Sequence, residues 1–170
     1  SVQSVWAMGS EIAAIDRAGK AEVNLVVSSV GLPAAEFLRE RFGTPYVVGA
    51  PLGDTVSALL LGALQKSIRT GENEILPAGT PDAPDTVILG ESVTSRSLAA
   101  ALLLDYGLCA EVICPVELPR ELEGPFCRQI EDEQDLQAAL SRARRVIADP
   151  LYRPIVPQGA QFFPLPHEAY

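Results

Sequence analysis

Short, nearly continuous apolar runs alternate along this chain with longer segments of helical spacing, and that alternation constrains the fold more than any other feature. A strand buried on both faces reads as an unbroken hydrophobic run, and parallel neighbours need crossover helices between them. Residues 2–18 carry Val5, Met8, Ile12 and Ile15 at helical spacing, with Gly19 as a stop. Residues 21–28 then read as a strand too continuous to be half exposed. Residues 32–42 read as an amphipathic helix ended by Gly43, 45–49 as a second strand, and 55–69 as a helix ended by Gly71. Residues 72–85, with Pro77, Gly79, Pro81 and Pro84, have linker composition. Beyond them the pattern resumes. Strands are expected at 86–90, 110–115, 145–148 and 161–164, and helices at 92–106 and 133–142. The expected fold class is α/β, with two lobes meeting near residue 80 and parallel sheets flanked by helices. Ligands of such sheets bind beyond the carboxyl ends of the strands. Here those ends are residues 28–31, 49–54, 90–95, 114–117 and 149–153.

Composition narrows the partners. With 170 residues, 48% of them hydrophobic, the chain can bury a real core. Its 22 acidic against 13 basic residues argue against nucleic acid and against anionic membrane surfaces. No apolar run approaches the roughly 20 residues of a membrane helix, and residues 1–9 do not form a secretory signal. Ser1 stands where an initiating Met is expected, which suggests an excised piece. Cys109, Cys114 and Cys127 show neither metal nor disulfide spacing. They read as inert buried thiols of a cytoplasmic protein.

The residues by themselves do not complete an active site. The stretch from Gly90 to Ser95 turns from a strand into a helix. It can hold an anion on its free N–H groups, or be capped by Ser92, Thr94 and Ser95. It lacks the glycines of a dinucleotide loop and the lysine of a phosphate loop. The turn from Ser28 to Gly31 is of the same kind. His167 is the only histidine, so neither a catalytic triad nor a two-histidine metal site can be built within the chain. Asp149 and the acidic run from Glu131 to Asp135 read as helix caps.

Two stretches say more. Ala21-Glu-Val-Asn-Leu-Val-Val-Ser28, followed by Ala35–Tyr46 and Pro51-Leu-Gly53, resembles the nitrogenase component 1 superfamily. So does the tail from Val146-Ile-Ala-Asp-Pro150 to Pro164-Leu-Pro-His-Glu-Ala-Tyr170, with Thr86-Val-Ile-Leu-Gly-Glu91 between them. The resemblance implies Rossmann-like lobes: residues 1–79 as the family's second lobe, and 80–170 as its third, incomplete at the carboxyl terminus. It also implies a first lobe, bearing cluster cysteines, elsewhere in a full-length parent. Ser28 matches the position of a cofactor-binding cysteine in the catalytic nitrogenase subunit, and His167 that of its metal-binding histidine. Serine is a poor iron ligand beside a thiolate. That substitution and the short Pro-rich linker point to a divergent paralogue.

The expectation is therefore a fragment of a component 1-like oxidoreductase, inactive alone. Ser28, Ser29, Gly31, Glu91 and His167 line a cavity between lobes for a metallocluster or a tetrapyrrole-like substrate. His167 is the one expected metal ligand. The parent is expected to carry an iron–sulfur cluster or complex metallocluster, and this piece none. The expected partners are an ATP-dependent iron–sulfur reductase protein and a paired component 1-type subunit, alike or different. A cofactor-assembly scaffold without turnover and an unrelated two-lobed α/β small-molecule binder are the alternatives.

Overall fold

The computed structural model describes residues 1–7, 9–77 and 84–165. Its first half runs through helix α1 (Ala13–Ala18), strand β1 (Asn24–Val26), helix α2 (Leu32–Phe42), strand β2 (Tyr46–Val48), helix α3 (Asp54–Thr70) and strand β3 (Glu74–Ile75). The three strands form a parallel sheet in the order β1-β2-β3, with Leu25 opposite Val47 and Val48 opposite Ile75. The second half comprises β4 (Thr86–Leu89), α4 (Ser92–Tyr106), β5 (Ala110–Cys114), β6 (Cys127–Gln129), α5 (Glu133–Leu140), β7 (Arg145–Ala148) and β8 (Gln161–Pro164). These strands form a second parallel sheet in the order β6-β5-β4-β7-β8. The fold is thus α/β, two parallel sheets flanked by helices, as expected of two Rossmann-like lobes. No helix among the described residues is long and apolar enough to cross a membrane.

The sheets share one core. Val26, Leu32, Tyr46 and Val48 of the first half cluster with Ile88, Val93 and Val112 of the second. Val56 of α3 packs on Ala100 and Ala101 of α4, small residues that let the two helices approach. A separate cluster on α5 joins Leu136 and Leu140 to Val87, Leu89, Ile113 and Val146. The expected boundary near residue 80 falls within 78–83, outside the described residues.

Four expectations change. The first helix spans only Ala13–Ala18, because Val2 and Ile12 remain 81% and 85% exposed; without packing, a short helix is marginal. Met8 lies outside the described residues. Strand β1 is shorter than the run suggested and is half exposed, with Leu25 and Val27 in solvent. The Pro-rich segment contributes a strand, β3, which pairs with β2 over two residues. An unexpected strand, β6, pairs with β5 at the sheet edge.

Candidate functional site

The carboxyl ends of β1 and β4 meet, and one carboxylate joins them. Ser28 leaves β1 in extended conformation, and its carbonyl accepts from the Gly31 amide at 3.0 Å, folding residues 28–31 into a turn before α2. Opposite this turn, Glu91 leaves β4 and caps α4. Its carboxylate accepts from the Val93 amide at 3.1 Å and the Thr94 amide at 2.9 Å. A helix start presents unpaired N–H groups and the positive end of the helix dipole, so a carboxylate is favoured there twice over. The same carboxylate accepts from the Ser29 amide of the other sheet at 2.7 Å, and from the Ser92 hydroxyl at 3.3 Å. Burial pushes the Glu91 carboxyl up, but the amides of Thr94, Ser29 and Val93 outweigh it and hold the group below its ordinary value.

Glu91 therefore acts as both cap and anion where hydroxyl caps or an external anion were the sequence expectations. Ser92 and Ser95 are buried instead. The Ser95 hydroxyl lies 2.9 Å from where a Cβ on residue 90 would stand, which explains the glycine there. Of the expected site residues, Ser29 and Glu91 are in direct contact, and Ser28 and Gly31 share the turn. His167 lies outside the described residues.

Two further residues tie the halves together and were not singled out from sequence. Ser97 donates its hydroxyl to the Val93 carbonyl at 2.8 Å and accepts from the Ala50 amide at 2.9 Å, just past the end of β2. Arg96 donates to the Leu122 carbonyl at 2.7 Å and to the Leu76 carbonyl at 3.2 Å, gathering segments of both halves around α4. The available signal was the run of polar residues from Ser92 to Ser97 in an otherwise apolar helix. Polar side chains on a buried helix need partners.

Behind this junction a cavity of about 30 Å³ is lined by Val48, Val56, Val93, Arg96, Ser97 and Leu122. That is roughly one water's share of volume and far below what an organic ligand fills. A larger open depression, about 680 Å³, lies apart from the junction beside Arg128, Gln129, Glu131 and Asp135.

The described donors do not fit a metal cluster. No group of three or more His, Cys, Asp or Glu side chains converges among the described residues. The Glu91 carboxylate already accepts four hydrogen bonds, and the thiols of Cys114 and Cys127 are buried against each other.

Comparison with known proteins adds a family signal. A protein-family model described as nitrogenase component 1 type oxidoreductase matches residues 1–93, a span that contains the whole first sheet, Glu91 and the start of α4. Neither the curated proteins nor the solved structures give a match.

Proposed function

This chain belongs to the nitrogenase component 1 type oxidoreductases, and on that premise we propose that the rim formed by Ser28, Ser29, Gly31 and Glu91 is one wall of a reductase substrate site. One observation carries the reading. The 2.7 Å bond from the Ser29 amide to Glu91 joins the carboxyl ends of β1 and β4, and the carboxyl ends of the strands are where α/β sheets bind ligands.

A tetrapyrrole-like substrate suits this wall better than a cluster. The wall offers the Ser28 and Ser29 hydroxyls, the Ser29 and Gly31 amides being already donated to Glu91 and to the Ser28 carbonyl, and hydroxyls orient an organic molecule by hydrogen bonding. Thiolate or imidazole would be needed to hold iron. In this reading Ser28 and Ser29 contact and orient the substrate, and His167 is a further contact. Glu91 is a positioning residue that holds the turn in place. A separate ATP-dependent iron–sulfur reductase protein supplies the electrons, and a paired component 1-type subunit encloses the site against water.

The test is an absorbance titration of the anaerobically isolated full-length parent and its paired subunit with a metal tetrapyrrole, followed by the ATP-dependent reductase and MgATP. We expect a shifted tetrapyrrole spectrum and reduction that requires MgATP. Glu91→Gln should weaken binding roughly tenfold, the equivalent of one hydrogen bond to a charged group. No spectral shift on adding the tetrapyrrole would overturn the organic-substrate reading.

A further inference from the structure

The second sheet ends in an edge that is only partly closed. Strand β6 is the outermost of its strands and pairs with β5, Cys114 standing opposite Gln129. The Phe126 carbonyl accepts from the Val112 amide at 2.8 Å, and the Ile130 amide donates to the Cys114 carbonyl at 3.0 Å, so both face β5. Main-chain groups alternate between the two edges of a strand, and those of Cys127 and Gln129 therefore face outward. Cys127 is closed off there. Its amide donates to the Gly124 carbonyl at 3.0 Å, and its carbonyl accepts from the Gly124 amide at 3.1 Å. The outward amide and carbonyl of Gln129 have no such partner among the described residues. A free pair of this kind is a template for a further strand.

The open depression of about 680 Å³ lies beside this edge, between the end of β6 and α5. Ala138 and Ala139 on α5 line it with small side chains, and Ile130 adds an apolar wall. Charge decides what it suits. The one cation in the lining, Arg128, is engaged by Glu111, which accepts from its Nε at 2.6 Å. Glu131 accepts from the Gln129 side-chain amide and has no cationic partner among the described residues, and neither has the exposed carboxylate of Asp135. Two uncompensated carboxylates thus stand over an apolar floor next to unpaired main chain.

We propose that the β6 edge and this depression dock an extended peptide segment of a partner protein that carries lysine or arginine at alternate positions. One peptide residue donates its amide to the Gln129 carbonyl and accepts from the Gln129 amide, adding a strand to the sheet. Its own side chain lies on the face of Gln129. The residues on either side of it point to the opposite face, that of Arg128 and Ile130, where Ile130 packs against the cluster containing Leu136 and Leu140 of α5. Their methylene stems lie along Ala138 and Ala139, and their charged ends meet Glu131 and Asp135. Main-chain pairing supplies affinity in such added strands, and the alternate side chains supply selectivity. An acidic segment is disfavoured by the same carboxylates and by the net charge of −9. The site lies apart from the Ser29–Glu91 junction and is independent of the proposed reductase role.

The experiment titrates the native chain into a fluorescein-labelled peptide, Thr-Lys-Thr-Lys-Thr with blocked termini, and reads anisotropy at low salt. Saturable binding is expected, with a Kd below about 1 mM. The same peptide with its threonine amides N-methylated keeps its charge but cannot donate to Gln129, and should bind roughly tenfold more weakly. Thr-Glu-Thr-Glu-Thr should not bind. Asp135→Asn, a change at an exposed position, should weaken the lysine peptide about threefold. Hydrogen exchange at the Gln129 amide should slow when the lysine peptide is present, because that N–H gains an acceptor. Equal binding of the N-methylated peptide would reduce the effect to adsorption by charge and overturn the proposal. So would the absence of saturation, or Gln129 exchange that the peptide leaves unchanged, both read on the unmodified protein.

Discussion

The two sheets are built on the same plan and buried unequally. In the second, Ile88, Ile113 and Val146 lie on adjacent central strands with no exposed surface. In the first, β2 is buried, but Leu25 on β1, Val27 just past it, Phe37 on α2 and Leu59 and Leu61 on α3 face solvent. A three-stranded sheet has a single central strand, and β3 contributes only two residues to its flank. The first sheet completes its core by borrowing: Val26, Tyr46 and Val48 belong to one cluster with Ile88, Val93 and Val112. The family match covers this less self-sufficient half. Its carboxyl-end turns are placed by residues of α4 and its cap, Glu91 on Ser29 and Ser97 on Ala50.

The largest effect should come from the shared core. Ile88→Ala empties a fully buried position in the cluster that serves both sheets. The expected loss is about 2–5 kcal/mol in urea unfolding, from lost transfer energy and the residual cavity. Both halves should unfold in one transition, because the cluster is common to them. Two separate transitions would show that the first sheet stands without the second. Next comes Gly53→Ala, at the N-cap of α3. Gly53 has φ 71° and ψ 165°, a region essentially reserved for glycine, and an added Cβ would stand 2.4 Å from Asp105 Oδ2 on α4. The expected cost is about 1–3 kcal/mol, measured in the same way. A neutral result would mean that α3 and α4 separate easily.

Those two positions also mark what the sequence makes legible. The alternation of apolar runs and helical patterns was readable because central strands such as β4 and β5 are buried on both faces and display the unbroken runs this implies. Helix ends were readable too: α3 stops at Gly71, which adopts the left-handed conformation that closes a helix. The short edge strands were not. β3 has two residues among prolines, and β6 exposes Arg128 and Gln129, so neither offers a period to detect. At the site, the strand-to-helix turns were visible, but the choice of Glu91 over Ser92 as cap was not. It depends on the Ser29 amide arriving from the other sheet. The thiol pair was hidden for the same kind of reason, since only the β5–β6 register brings Cys114 and Cys127 together.

The junction gives a prediction with a sign in pH. Glu91 titrates below its ordinary value of 4.5 in the folded chain. A carboxyl lowered by folding adds stability that is fully present above its unfolded value and drains away as pH falls through the folded one. Glu91→Gln removes that contribution and weakens the bonds to Ser29, Val93 and Thr94. At neutral pH it should cost about 1–2 kcal/mol, in the range for a helix cap and a hydrogen bond to a charged group. Below pH 4.5 the two unfolding curves should converge. A gap that stays constant into acid would mean that the carboxylate does not hold the sheets together as a charged acceptor.

The smallest effect should be at Leu25, and it sharpens the comparison most directly. Leu25 stands on β1, next to Val26 in sequence, but it is 42% exposed where Val26 is 4% exposed. Alternate residues on a strand face opposite sides, so Val26 enters the shared core and Leu25 does not. Leu25→Ser should therefore change stability by no more than about 0.5 kcal/mol, the usual range for a surface site, while leaving the transition as cooperative as before. Val26→Ala, one residue away, should lose several times more, because it withdraws a side chain from the cluster with Ile88 and Val112. If Leu25→Ser instead cost as much as Val26→Ala, the outer face of the first sheet would have to be covered in solution. The two sheets would then differ in what covers them rather than in how far they are buried.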